Sequence, residues 1–312
     1  MSVADGDISW AMLRSIVRRW AGTDTDVDTV ARLEGGHVNT TLLLTLADGA
    51  RAVLKISPHR VNREFACEAH QLDLLRGLGV PTPAVYECSL GSLEHPFSYL
   101  LMEFVEGVDL AKAKAAATPD EFDAIQSELA DLLLRVHATT GPAYRRVLDG
   151  ATDAPAHDAW PGFYRTVYDG IWHAVEKASV LPVKCRKTVA RVHERLARLI
   201  AHDDRPRLVH GDVWSTNILV KPTPVGWRVT ALLDPMCKYA HAEAELAYLE
   251  LFHTSTPAFL RAYQRDARLP TDYHRVRKHV YHLYELLNHV HLFGQEYVKP
   301  TIAAAERLAP LV

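Results

Sequence analysis

Cysteine is scarce: the 312 residues hold four, Cys67, Cys88, Cys185 and Cys237, each at least twenty residues from the next. That spacing excludes a paired metal knuckle and a dense disulfide framework, and it predicts free thiols in a reducing cytoplasm. No apolar run approaches the ~20 residues needed to cross a bilayer. The opening MSVADGDISW is acidic and polar, so neither a membrane anchor nor an export signal is readable. An excess of one charge is missing too. Lys and Arg total 35 against 38 Asp and Glu, with no basic block or stripe, which argues against nucleic acid as a partner and for a small molecule. There is no GxxxxGK[ST] loop, no GxGxxG and no HExxH. The seventeen histidines, including His282, His289 and His291, read as packed or surface residues rather than a metal cluster.

What is present can build a substantial core: 48% of the residues are hydrophobic, enough for one or two globular domains. Apolar positions at helical spacing predict an opening helix over 8–20. TVARLEGGHVNTTLLLTLADGARAVLKI then reads as strand, Gly-Gly turn, strand, ADG hairpin and a third strand ending near Lys55. REFACEAHQLDLLRGL reads as a helix and PFSYLLMEFVEG as an apolar strand running into a turn. Beyond Gly107 the pattern turns helical, with PDEFDAIQSELADLLLRVHATTG and VKCRKTVARVHERLARLIAH as long helices. The exception is NILVKP and GWRVTALLD, two strands joined by TPVG. The pattern predicts an α+β chain of two lobes, a strand-rich one over 1–104 and a helix-rich one over 105–312.

The stretch LVHGDVWSTNILV sets Asp212 and Asn217 five residues apart at the mouth of that hairpin. If 218–221 pairs with 227–233, Asn217 is expected opposite Asp234, with Asp212 one short loop away. An amide oxygen and a carboxylate are hard ligands of the kind Mg2+ accepts while keeping water and phosphate oxygens. A separate carboxylate that binds no metal can orient a substrate hydroxyl and receive its proton. That division of labour belongs to phosphoryl transfer. An HxD alone is an ordinary loop; the added Asn217 and Asp234 make the difference.

The N-terminal lobe is expected to hold the nucleotide. LEGGHVNTT places Gly35, Gly36 and Asn39 at a turn where backbone N–H groups can approach phosphates, although a Gly-Gly turn is most often only a hairpin. Lys55 lies amid AVLKI, an apolar setting in which an ammonium needs an anionic partner. Glu68 is the better candidate, with Glu64 one helical turn earlier. In the strand YLLMEFVEG, Glu103 and Val105 are candidates to offer backbone groups to adenine.

HGDVWSTN followed by LLDP resembles the catalytic and metal loops of the protein-kinase-like fold. More closely, HGDVWSTNILV, LLDPMCKYAHAEAELAYLELF and YHLYELLNHVHLFGQEYV resemble the HGDLWSGN, DP with GHREADLA and LELF, and LLNHLNLFG segments of the fructosamine kinase family, within the aminoglycoside phosphotransferase-like kinases. The likeness runs from about Val30 to Val298. It implies a small antiparallel-sheet lobe and a larger, mainly helical lobe, with ATP and Mg2+ as cofactors. It also implies Asp212 as catalytic base, Asn217 and Asp234 as metal ligands, and Lys55 with Glu68 as the phosphate-positioning pair. Trp214 then borders the acceptor, and Glu250 and His289 join it in an acidic, aromatic pocket.

Three departures accompany the likeness: His37 in the phosphate turn, Thr216 for a glycine, and Glu245 for the aspartate that braces the catalytic loop. The ketosamine-side pattern is also missing between Thr139 and Pro182, where AHDAWPGFYRTVYDGIW stands. The expectation is therefore a kinase acting on a hydroxyl of a sugar or amino-sugar metabolite, an antibiotic or a bulkier secondary metabolite being preferred to a simple fructosamine. A ketosamine repair kinase is the alternative, and a nucleotide-binding pseudokinase is disfavoured by the full set of polar residues.

Overall fold

The computed structural model describes residues 2–3, 8–22, 25–33, 39–57, 62–93, 95–202 and 204–312. Alternation of apolar and polar residues builds a five-stranded antiparallel sheet near the N-terminus. Its order is Val27–Arg32, Thr40–Leu46, Arg51–Ile56, Tyr99–Glu103 and Val85–Ser89. On one face, Leu42, Leu44, Leu46, Ala52, Leu54 and Ile56 pack with Leu13, Ile16 and Val17 of the opening helix. That helix spans Trp10–Ala21 rather than starting at Ile8; Ile8 and Ser9 form a short strand, and the Ser9 hydroxyl caps the helix by accepting from the Met12 N–H at 3.2 Å.

The other face carries the helix Arg63–Gly77, seated through Phe65 and Leu72 on Leu100 and Met102. Lys55 is cross-strand from Leu100, so pleat parity alone puts its side chain on this helix-covered face. A one-residue slip of register would drive it into the opposite core.

The larger lobe is built on helices around one core. Pro119–Ala138 begins with a capping box between Thr118 and Glu121 and a proline at its first turn. The expected single helix after Val183 is two: Val183–Glu194, then one turn over Leu196–Leu199 once Arg195 leaves the helical backbone. Trp160–Ala178 turns Trp160, Phe163, Tyr164, Tyr168 and Trp172 inward. Tyr164 and Tyr168 lie 4.8 and 5.2 Å from the ring of Tyr284, on the helix Lys278–Phe293. The aromatic residues of the unusual segment are thus core that seats a neighbouring helix.

The hairpin Ile218–Thr223 with Gly226–Leu232 is joined on its free edge by Val108–Asp109, which ties the segment after the N-terminal sheet to the loop that starts the hairpin. The register corrects the expected facing pair. Ile218 faces Leu232, and the Leu233 N–H donates to the Asn217 carbonyl at 2.8 Å, so Leu233 and not Asp234 stands opposite Asn217. A bulge between Leu219 and Val220 shifts the register by one residue. No helix among the described residues is long and apolar enough to cross a membrane.

Candidate active site

Two charge clusters form where the lobes meet. In the first, the Lys55 ammonium bonds Glu68 at 2.7 Å and also reaches Asp234, with only 13% and 14% of the Lys55 and Glu68 side chains exposed. Glu64, the alternative partner, is instead drawn outward to Arg146 at 3.3 Å. Burial opposes the charge on Lys55, but its two carboxylates more than offset this and hold its pKa above the ordinary lysine value. Burial likewise pushes the Glu68 carboxyl up, against the pull of Lys55, and the nearby Asp234 charge adds to the rise. One ammonium between two carboxylates leaves an excess of negative charge.

Asp234 adopts a left-handed backbone, φ 52°, just before a proline; such strain in a non-glycine residue is held only where the surroundings fix it. Part of that fixing comes from a residue that sequence reasoning missed. Gln71, one turn beyond Glu68 on the same helix face, accepts from the Cys237 N–H at 2.9 Å and donates to the Val147 carbonyl at 2.6 Å.

The second cluster is built on the loop from His210 to Asn217. Gly211 has φ 90°, and a Cβ there would come within 2.2 Å of the Met236 carbonyl oxygen, so only glycine lets the two loops touch. Glu245 braces this loop: its buried carboxylate accepts from Gly211 N at 2.5 Å, His210 N at 3.3 Å and His137 Nε2 at 2.8 Å. Burial disfavours its charge, yet these donors hold its carboxyl below the usual range. The extra methylene relative to aspartate is accommodated. Burial keeps His210 below the ordinary histidine value, which suits its Nδ1 accepting from the Asp212 N–H at 3.3 Å.

Asp212 forms no ion pair with Lys55, whose partners are Glu68 and Asp234. Its Oδ1 accepts from the Tyr248 hydroxyl at 2.8 Å, and its Oδ2 from Asn217 Nδ2 at 3.0 Å. Asn217 Nδ2 also bonds the Asp212 carbonyl at 3.1 Å, which commits the amide nitrogen to the loop and leaves Oδ1 as the atom of this side chain that can serve a cation. This amide oxygen and the Asp234 carboxylate are hard donors of the chemistry that Mg2+ takes.

Around Asp212 the wall is aromatic. Trp214 is 38% exposed, and its indole N–H donates to Thr216 Oγ1, so the threonine that stands for glycine supports the ring. Trp214 meets Phe252 edge-on, and Phe252 lies 4.6 Å from His289, which packs on Tyr297 at 4.8 Å. The acidic member of this wall is not Glu250. Two residues past Tyr248, Glu250 turns to another side of its helix, where Lys278 at 3.2 Å and the Tyr273 hydroxyl hold its carboxylate. Glu285 takes that place, one helical turn before His289. Burial pushes its carboxyl up to about 7, the Asp212 charge adds to the rise, and Lys238 and Asn288 work against it.

The nucleotide-side backbone candidates are less complete. Gly35 and Gly36 lie outside the described residues; the Asn39 side-chain oxygen is buried with no hydrogen-bond partner among the described residues. The Glu103 N–H is already given to the Ala84 carbonyl at 2.8 Å, and its carboxylate accepts from Ala84 N at 3.0 Å, so that N–H is closed to a base. Val105 follows in irregular, half-buried backbone.

A family model described as fructosamine kinase matches residues 9–309. The chain belongs to the fructosamine kinase family. Its likeness to a protein of Escherichia coli K12 named "Probable ketoamine kinase YniA" is 27% identity, over 96% of this chain and 99% of that one. A Thermobifida fusca crystal structure assigned as a fructosamine-3-kinase is 25% identical, with TM-score 0.72 over 96% of this chain and 99% of the other. An aminoglycoside phosphotransferase solved with GDP and kanamycin shares the fold, with TM-score 0.68 over 94% and 97% of the two chains, at 16% identity. As a fructosamine kinase family member the protein is a phosphotransferase with a hydroxyl acceptor and uses ATP, on the two-lobed kinase-like fold.

Proposed function

We propose that the protein phosphorylates a hydroxyl of an amine-linked sugar, a ketoamine, with residues 1–104 as the nucleotide-binding lobe and residues 105–312 as the catalytic lobe that supplies the metal ligands and binds the acceptor. The observation that carries this reading is the separation of two carboxylates. Asp234 is tied to Lys55, whereas among the described residues the Asp212 carboxylate is held by the neutral donors Tyr248 and Asn217 and faces an aromatic wall. A metal-side and an acceptor-side carboxylate are the two roles that phosphoryl transfer to an alcohol needs.

Bound Mg2+ and ATP supply the phosphoryl group and the neutralisation of its charge. Lys55, fixed by Glu68, would bind phosphate oxygens, and Asn217 Oδ1 and Asp234 would hold the metal. Asp212 would orient the acceptor hydroxyl and take its proton as that oxygen replaces the bridging oxygen on the γ-phosphorus, with ADP as the leaving group. Trp214 and His289 stack along the sugar, and Glu285 attracts the amine that accompanies it.

The ketoamine class is preferred to a bulkier antibiotic for two reasons. The full-length relatives are named for ketoamines, and the segment 139–182, whose departure favoured a bulkier acceptor, turns its aromatic side chains into the core instead of the pocket. Measuring ADP release across fructosamines, ribulosamines and aminoglycosides tests this. A ketoamine should give the highest kcat/KM; an aminoglycoside in that place would overturn the acceptor assignment.

A further inference from the structure

We infer that Tyr248 is a positioning residue for the phosphotransfer, fixing the Asp212 carboxylate by a hydrogen bond so that one oxygen lone pair is aimed at the acceptor hydroxyl. The inference rests on the assignment of Asp212 as base and adds to it a residue that no feature of the loop itself announces.

The geometry is a two-point clamp. Asp212 projects from a short loop, and a free carboxylate there could rotate about its side-chain torsions. Asn217 occupies Oδ2 at 3.0 Å and Tyr248 occupies Oδ1 at 2.8 Å, so the plane of the carboxylate is set from two directions. Each carboxylate oxygen can accept two hydrogen bonds, so an open lone pair remains for the acceptor after both donors are seated.

Tyr248 also shares its helix, Ala242–Leu251, with Glu245, three residues earlier and therefore on the same face. Glu245 holds the loop by the N–H groups of His210 and Gly211 while Tyr248 holds the side chain. A single rigid helix thus sets both the backbone and the carboxylate of the loop. The Tyr248 ring is in turn packed edge-on against Phe252 at 4.9 Å, so the hydroxyl is delivered by a ring that is itself fixed. Burial and the neighbouring Asp212 charge raise the phenol well above its ordinary value, which keeps it a donor and excludes it as the base.

Tyr248→Phe removes one oxygen and keeps the ring against Phe252, so it isolates the hydrogen bond from the packing. Steady-state kinetics with a ketoamine acceptor should show kcat lowered between about tenfold and a hundredfold, the scale of a misaligned reacting group. KM for ATP and the melting temperature should stay at the wild-type values. In an Asp212→Asn background, residual turnover should be indifferent to Tyr248→Phe, because a residue that acts through the carboxylate has nothing left to position. A Tyr248→Phe variant with kcat within twofold of wild type overturns the inference. So does one whose melting temperature and ATP affinity fall together with kcat, since that marks a structural role. Asp212→Asn alone separates the two levels: near-normal turnover there would remove the base assignment itself, whereas an inactive Asp212→Asn with an unaffected Tyr248→Phe removes only the role of Tyr248.

Discussion

The two charge clusters at the meeting of the lobes are built by different means. The first, the proposed nucleotide side, is an ion cluster: Lys55, Glu68 and Asp234 meet across a sheet, a helix and a loop, and their positions follow from complementary charge. The second, the proposed acceptor side, holds a carboxylate by neutral donors, Tyr248 and Asn217, inside a wall of Trp214, Phe252 and His289. Charge pairing suits a partner that always brings the same phosphates. Aromatic surface and isolated carboxyls suit a partner whose shape must be discriminated, because specificity depends on how the polar groups of a ligand are paired in the pocket.

The sharpest way to separate the two sides is to remove one carboxylate from each. Asp212→Asn should lower kcat by about 10³, within the range general-base catalysis contributes, while leaving the dissociation constant for Mg2+-bound ATP within about twofold of wild type. Asp234→Ala should do the reverse at the binding step, weakening nucleotide affinity about a hundredfold in calorimetry and abolishing its Mg2+ dependence. If both variants lost nucleotide binding equally, the division of labour between the two carboxylates would be wrong.

How far the sequence disclosed this division differs between the sides. Lys55, Glu68, Asp212, Asn217 and Asp234 were legible because each sits next to a local signal: a strand end, a helix face, a hairpin mouth. Even there the expected facing of Asn217 and Asp234 missed by one residue: the strands turn tightly, with Thr223 facing Gly226, which on an unbroken ladder would set Leu232 opposite Asn217, and the Leu219–Val220 bulge moves that partner by one, to Leu233. On the proposed acceptor side, Tyr248 and Glu285 act from helices whose relative placement is decided by packing, such as the seating of the 278–293 helix on Tyr164 and Tyr168. A finer reading of the helix carrying AEAELAYLEL would have helped: three residues separate Glu245 from Tyr248, which share a face, whereas Glu250 lies two beyond Tyr248 and is turned away.

A smaller effect tests whether the loop is braced independently of either substrate. Glu245 is fully buried and accepts three hydrogen bonds, so Glu245→Ala leaves His137 and two backbone N–H groups without their acceptor. Breaking such a buried network costs about 3 kcal/mol, read as a lower urea midpoint with unchanged m-value. Glu245→Asp should recover part of that loss, since the carboxylate remains and only its reach shortens. A Glu245→Ala protein as stable as wild type would show that the loop is held by the Gly211–Met236 contact alone.

The smallest expected effect belongs to Glu285 and is read as a pH dependence. Its folded pKa, about 7, lies above the ordinary glutamate value because burial and the Asp212 charge disfavour its ionised form. The sign follows from linkage: the folded state holds a proton that the unfolded state releases, so the favourable contribution is complete below the unfolded pKa and is lost as pH rises through the folded one. Stability should therefore decline from about pH 4.5 to about pH 7 on account of this group. Glu285→Gln keeps the shape and cannot ionise. Relative to wild type it should gain about 1–2 kcal/mol above pH 7, after discounting for the part of the side chain that water reaches, and gain nothing near pH 4. Adding a ketoamine acceptor sharpens the comparison. A cationic amine beside Glu285 favours the carboxylate, so saturating acceptor should stabilise wild type more than Glu285→Gln at pH 8 and equally at pH 4, as followed by melting temperature. Equal stabilisation of the two proteins at pH 8 would place the amine elsewhere on the aromatic wall and leave Glu285 as a strained bystander of the Asp212 charge.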